Sequence, residues 1–479
     1  MNEHQPTSTE AANNLLNRRS ALIGAGGLAG SLALATATPS WARKTRIAPV
    51  NRPAQRLRMV DRLPDPNRQM GEALYPEIKN LVLVMMENHS TDNVLGMLGK
   101  YSPKHRHTFD GLPLNKKGKP VAHNPNKKGK RVYSYPLPDM CPFQGLSQDW
   151  NNSHLQWDHG RNDGFVITTD SIVPMSYLTR EQMPISYAIA ENYAVSDRNF
   201  CSLMGQTLPN RRYYFSGTSS GYCNDTDASV LVTPPGGTIF DRMNTGNVSW
   251  ALYTDGTPTP DYFLPTFATK EQLHCGDLVE FHELAAQGKL LTVTYVEANG
   301  NWESEENPQD IAYGENFLAN VVNAVQSSPQ WPHIALFVTY DEHGGYFDHV
   351  PPAPAVEPDD IQPILGSSTG ATYKAAFNRT GFRVPHTIVS PWAKPGYVSH
   401  KITDHTSALA FIETQWNLPP MTKRDAAAWD YTDQFDFSAP SHETPVKMPS
   451  PPSIDGTLAQ CRKDGENPPT PQNDGGPDF

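Results

Sequence analysis

The stretch Asn80-Leu-Val-Leu-Val-Met-Met-Glu-Asn-His-Ser-Thr-Asp-Asn-Val-Leu-Gly96 decides the fold class. Leu81 to Met86 is an unbroken apolar run, too short for a buried helix. It has the length of a strand covered on both faces, as in a parallel sheet. The run stops at Glu87-Asn88, a carboxylate and an amide, both hard oxygen donors. Open α/β sheets bind ligands just beyond the carboxyl ends of their strands, which is where this pair would stand. The pattern returns at Ile334-Ala-Leu-Phe-Val-Thr-Tyr340, a second buried-strand run that ends at Asp341-Glu342. Two strands delivering oxygen ligands at one end predict a site for a divalent metal ion. Taken singly, either acid pair reads equally well as the cap of a loop.

Outward from these runs, strand-like and helix-like segments alternate. Leu291 to Glu297 reads as a strand. Gly314 to Val325 has helical spacing, with Phe317, Val321, Val322 and Val325 on one face. Val384 to Ser390 reads as a further strand and Ser407 to Trp416 as a further helix. This alternation predicts an α/β fold, a layered αβα sandwich with a mostly parallel central sheet. No internal repeat stands out. The chain of 479 residues carries Lys+Arg 39 against Asp+Glu 50, net charge -11, which argues against a general nucleic-acid binder. Trp 9, Tyr 19 and Phe 18 supply ample core material.

The ends read differently. Asn17-Arg18-Arg19-Ser20 leads into a mildly apolar, glycine-rich region from Ile23 to Ala35, and Ser40-Trp41-Ala42 offers small residues for a signal peptidase. Residues 1–42 are therefore expected to be a twin-arginine export signal, handled by the Tat translocase, with the exported protein beginning near Arg43 in the periplasm or outside the cell. Residues 43–77 are expected as a linker, 78–439 as the catalytic domain and 440–479 as a proline-rich tail. The five cysteines (Cys141, Cys201, Cys223, Cys275 and Cys461) lack metal-type spacing, and one or two disulfides with one leftover thiol are expected. The basic runs Lys116-Lys117-Gly118-Lys119 and Lys127-Lys128-Gly129-Lys130 read most simply as an exposed excursion, with attraction to an anionic substrate or a membrane surface as the lesser reading.

The third chemical element is Thr207-Leu208-Pro209-Asn210-Arg211. Proline in a first turn marks a helix start. A hydroxyl there faces free amides that favour an anion, though capping is its commonplace role. The motifs taken together resemble a bacterial phosphoesterase family that contains phospholipase C and certain acid phosphatases. Glu87-Asn88-His89-Ser90-Thr91-Asp92 is similar to its ENRSFDH signature, Thr207 to Arg211 to its T-x-P-N-R element, and Tyr340 to Pro352 to its YDE-GG-F-DHVPP block. Gly381 to Pro385, Ser390 to Trp392 and Asp404 to Ser407 resemble its last blocks, and His154 with Gly160 to Phe165 another, all in order from about residue 78 to 437.

The resemblance implies an alkaline-phosphatase-like fold and hydrolysis of phosphate esters. It implies Glu87, Asn88, Thr207, Asp341 and Glu342 as metal-binding positions, Thr207 as nucleophile, Asn88 and Arg211 as contacts to substrate phosphate, and His154, His349 and His405 as proton-handling groups. His343 reads as a bystander. Two positions depart from the family pattern: Asn307 stands where an E-H-P element has its histidine, and Gln148 where many members have another. Neither side chain shuttles protons near neutrality. The expected activity is a phospholipase C-like hydrolysis of a phosphatidylcholine-type lipid, with transient contact to a membrane surface. An acid phosphatase acting on soluble monoesters is the alternative, and a binding protein that has lost the chemistry is a second. Trp150, Trp157, Tyr177, Trp302 and Tyr346 would line an apolar mouth for a lipid.

Overall fold

The computed structural model describes residues 58–454, apart from 139, 142–145, 226–230, 265–266, 268–270, 272–273 and 301–302. The twin-arginine region, Cys461, Trp302 and most of the proline-rich tail lie outside the described residues.

Eight strands form the central sheet: β1 (Asn80–Met86), β2 (Ala194–Ser196), β3 (Trp250–Tyr253), β4 (Cys275–Gly276), β5 (Val293–Glu297), β6 (Ile334–Tyr340), β7 (His386–Val389) and β8 (Val398–Ser399). Their order is β8-β2-β7-β6-β1-β5-β3-β4, and β7 alone runs against the others. Every residue of β1, β5 and β6 is buried, as a sheet covered on both faces requires. The cover comes from two helix groups. Pro184–Asn192, Leu278–Gln287 and Ile311–Ser327 pack together, and so do Thr207–Ser216, Ile239–Thr245 and Thr406–Gln415. The expected αβα sandwich is the observed one. Phe317, Val321, Val322 and Val325 all face the core, and each such side chain contributes about 1.5–3 kcal/mol of burial.

Register places the chemistry. β1 and β6 are adjacent and parallel, pairing Leu81 with Ala335 through Met86 with Tyr340, and the Asp341 amide donates to the Met86 carbonyl at 3.0 Å. Glu87-Asn88 and Asp341-Glu342 therefore leave the sheet side by side, one strand spacing apart. β5 flanks β1 on its other side with Met85 opposite Glu297, which brings a further carboxylate to the same end.

The described part of the expected linker is stitched into this body. The Arg58 guanidinium donates to the Ala410, Asp425 and Ala428 carbonyls and pairs with Glu413 at 3.3 Å, while Leu74 bonds the Gln415 carbonyl. Residues 440–454 run along the surface, with Trp331 donating to the His442 carbonyl and Asn316 to that of Pro452. Cys141 is disulfide-bonded, whereas Cys201, Cys223 and Cys275 are thiols, so one leftover thiol was too few. No helix of the described residues is long and apolar enough to cross a membrane.

Candidate active site

Thr207 is the first residue of the helix Thr207–Ser216, which follows Gln206 at the cap. The Gln206 side chain makes no capping bond, and the Thr207 hydroxyl is not spent on capping either. It lies instead 3.4 Å from Asn88 Oδ1. The nearby Leu208 amide donates to Asp225 Oδ1 at 2.8 Å. Gly344 makes the approach of the β6 loop to Asn88 possible. Its φ is +63°, and any Cβ there would collide with the Asn88 carbonyl oxygen.

Among the described residues, one cation, Arg211, is ion-paired to this group of acids. Arg211, one helical turn after Thr207, reaches Glu87 at 2.8 Å, Asp341 at 3.5 Å and Glu297 at 3.9 Å. It is buried and so tightly surrounded that burial is outweighed and its charge is held more firmly than usual. Against it stand Glu87, Glu297, Asp341 and Glu342, with Glu306 and Asp225 close enough to interact. Burial, then the crowding by neighbouring carboxylates, pushes Asp341, Glu342 and Glu306 well above the carboxylate range, Arg211 resisting at Asp341. Asp341 Oδ2 and Glu342 Oε1 are buried without a hydrogen bond. Buried charges of one sign and orphaned carboxylate oxygens are costly unless a cation joins them. The donor set, all oxygen if Asn88 contributes its carbonyl, fits a hard divalent ion.

Beside this group opens a cleft of about 270 Å³, lined by Asn88, Gln148, Asp149, Gln206, Glu306 and Asn307, among others. The two positions that depart from the family pattern thus both face it. Tyr346 donates to Asn307 Oδ1 at 2.9 Å and fixes that side chain.

The expected histidines are placed elsewhere. His154 bonds the Trp150 carbonyl through Nδ1 at 2.6 Å and stacks on Tyr373, and burial lowers it to about 4. His405 bonds the Tyr340 carbonyl at 3.0 Å beneath the carboxylates, and burial lowers it likewise to about 4. His343 is fully buried between Gln156 and Glu342. His349 belongs to a separate knot. Its Nδ1 pairs with Asp92 at 2.7 Å and its Nε2 with Asp110 at 3.2 Å, while Arg383 bonds Asp92 at 3.0 Å and Asp348 at 2.9 Å. Burial opposes its charge, but Asp92 and Asp110 outweigh that and raise it to about 9. Asp92, Asp348 and His349 also have the spacing of a metal triad, with ligand atoms within 4.8 Å of one another. All four aspartate oxygens already accept hydrogen bonds, from Arg383, His349, Val350 and the Asp92 amide. A cation here would have to displace Arg383. Of the expected site residues Asn88 lines the cleft, whereas Thr207, Glu87, Asp341, Glu342, Arg211 and the histidines His154, His349 and His405 are not among its lining residues.

Of the expected mouth aromatics, Trp150, Tyr177 and Tyr346 are buried, and Trp157 is half-buried under Arg379. Packing, as for most aromatics, is their role. Glu297, Glu306 and Asp225 are site residues that the sequence reading did not single out. Glu297 carried a signal, since it is a third acid ending a strand-like run.

Comparison with known proteins shows the family. The model of the Phosphoesterase family matches residues 78–419, and the chain belongs to that family. Non-specific phospholipase C1 of Arabidopsis thaliana is 31% identical over 80% of this chain and 76% of its own length. Non-hemolytic phospholipase C of Burkholderia pseudomallei is 29% identical over 90% and 66%. Relatives therefore include plant as well as bacterial proteins. A solved structure in the alkaline phosphatase superfamily, from Vibrio parahaemolyticus, overlaps at a TM-score of 0.38 with 12% identity, over 75% of this chain and 74% of the other. The chain is a phosphoesterase, which sets aside the expectation of a binding protein without chemistry.

Proposed function

We propose that this phosphoesterase is a metal-dependent, phospholipase C-like hydrolase with Thr207 as its nucleophile. The observation that carries the reading is the Thr207 hydroxyl at a helix start, 3.4 Å from Asn88 Oδ1, beside a group of acids with one counter-charge. Glu87, Asn88, Asp341 and Glu342, with Thr207, would hold the cation. Such an ion lowers the pKa of a coordinated hydroxyl and neutralises phosphate oxygens. Thr207 Oγ1 passes its proton to water of the open cleft and bonds to phosphorus as the ester bond to the leaving alcohol breaks. The leaving oxygen is protonated by water of the open cleft, and a second water splits the phosphothreonine. Asn88 orients the hydroxyl, and Arg211 holds Glu87 and Asp341 in place.

A lipid diester is the substrate class that the relatives' names support. The cleft favours a second reading, an acid phosphatase on soluble monoesters, because its lining of amides and carboxylates suits a headgroup better than acyl chains. The twin-arginine region supports export through the Tat pathway. Hydrolysis of phosphatidylcholine, p-nitrophenylphosphorylcholine and p-nitrophenyl phosphate by wild type and Thr207→Ala tests the reading. Turnover of both choline diesters, lost in the variant, is expected. Turnover of the monoester alone would make the enzyme a phosphatase, and an active variant would remove Thr207 from its role.

A further inference from the structure

The segment from Lys100 to Arg131 holds ten lysines and arginines and a single acid, Asp110, in a chain whose net charge is -11. All ten basic side chains are exposed, and among the described residues only Lys127 is ion-paired, to Asp170 at 2.9 Å. Asp110 is turned inward, tied to His349, Arg198 and Arg383. The segment thus presents almost pure positive charge while its one acid anchors it to the His349 knot.

Six of the lysines sit on a duplicated device. Asn-Lys-Lys-Gly-Lys occurs at 115–119 and again at 126–130, a short repeat that the sequence reading passed over. The two copies fold alike. In each, the asparagine amide bonds the carbonyl of the last lysine (2.9 and 2.8 Å), and the glycine amide bonds the asparagine carbonyl (2.9 and 2.8 Å). In each, the asparagine side chain accepts two lysine amides. The glycines, Gly118 and Gly129, take φ of +70° and +76°. Leu114 with Pro120 closes one turn, and Pro125 with Arg131 closes the other. Backbone groups and the asparagine side chains build the turn, so the lysine side chains are left to face outward.

The lysine-rich turns adjoin apolar surface. Lys100, Arg106 and Lys116 rim a pocket of about 500 Å³ whose wall includes Phe109, Leu112 and Leu114, and Tyr133, just past the second turn, is half exposed. Positive charge around a hollow of mixed polar and apolar lining fits an amphiphile with an anionic head. A nucleic acid would call for several stacking aromatics and arginine forks, and this face offers eight lysines to two arginines with one half-exposed tyrosine. The rest of the chain carries a net negative charge, which disfavours an anionic bilayer.

We propose that the paired lysine turns and the adjoining pocket dock the enzyme on membranes rich in anionic phospholipid. This rests on the reading of the enzyme as a lipid hydrolase, and the test separates the two. Cosedimentation of the full-length enzyme is measured with phosphatidylglycerol-containing vesicles and with pure phosphatidylcholine vesicles. The proteins are wild type, the sixfold variant Lys116→Glu, Lys117→Glu, Lys119→Glu, Lys127→Glu, Lys128→Glu, Lys130→Glu, and Thr207→Ala. Wild type and Thr207→Ala should bind anionic vesicles, with affinity falling as salt rises. The sixfold variant should lose binding by on the order of a hundredfold or more, since each lysine near an anionic surface contributes severalfold. Its turnover of soluble p-nitrophenylphosphorylcholine should equal that of wild type. Unchanged vesicle binding by the sixfold variant, equal binding to both vesicle types, or stronger retention on heparin or DNA than on anionic vesicles at the same salt would overturn the proposal. If the sixfold variant unfolds, the milder Lys116→Gln with Lys128→Gln must still lower anionic binding, and failure to do so overturns it as well. Loss of all hydrolysis in wild type, with vesicle binding intact, would reject the lipase reading and leave the docking face standing.

Discussion

Two groups of buried acids lie close in sequence to the same two strands, and they are built on opposite principles. Beyond β1 and β6, Glu87, Glu297, Asp341 and Glu342, with Glu306 and Asp225 nearby, share Arg211, and carboxylate oxygens are left without hydrogen bonds. In the knot that follows, Asp92, Asp110 and Asp348 are matched by Arg383, Arg198 and a charged His349. The first arrangement is costly as it stands and is relieved by a cation. The second is complete and resists one. Proximity of ligand atoms alone would choose the knot, whereas charge balance and satisfied lone pairs choose the strand ends.

The largest effect that would break this contrast is on turnover. Thr207→Ala should lower kcat by about 10⁴-fold or more, the usual scale for removing a nucleophile, with melting temperature near that of wild type. Steady-state rates and thermal scans check both. Next comes stability. Arg383→Met should cost about 3–5 kcal/mol, because it leaves two buried aspartates without their partner. In metal-free protein, Asp341→Asn should be neutral or stabilising, since it removes one of the crowded acids. Denaturant melts of the two variants would blur the contrast if their costs were alike.

A smaller effect concerns pH. His349 is raised to about 9 in the folded chain from about 6.5 unfolded, so its charge stabilises the fold fully below about pH 6.5. That contribution fades as pH rises through about 9. His349→Gln should flatten the fall in stability over that window, and unchanged slopes of unfolding free energy against pH would remove His349 from the knot's charge balance. The smallest effect is at Asn307→His, which restores a titratable group to the cleft and should add a neutral-range inflection to the pH–rate profile. An unaltered profile would mean that position 307 does not meet the substrate.

Much of this was legible in residue order. The apolar runs at Leu81–Met86 and Ile334–Tyr340 gave two central strands nearly to the residue, because a strand buried on both faces leaves an uninterrupted pattern. The acids that end them followed from the same reading. β2, β3, β4 and β8 are two to four residues long, too short for a period to emerge. The reversal of β7 depends on its neighbours, not on its own residues. The histidines were harder still. His154, His349 and His405 sit in motifs of the family, yet partners far along the chain decide what each nitrogen bonds: Tyr340 for His405, Asp92 and Asp110 for His349. Asp225 carries no local mark, and only folding brings it to the site, whereas Glu306 opens the element that holds Asn307. The Asn-Lys-Lys-Gly-Lys repeat was visible all along and was read only as charge.

The most direct measurement is the metal content of purified wild type, Asp341→Asn and Asp348→Asn by elemental analysis after dialysis. The account predicts bound divalent metal in wild type, its loss in Asp341→Asn and its retention in folded Asp348→Asn. Metal kept by Asp341→Asn and lost by Asp348→Asn would move the cation to the knot and contradict the assignment.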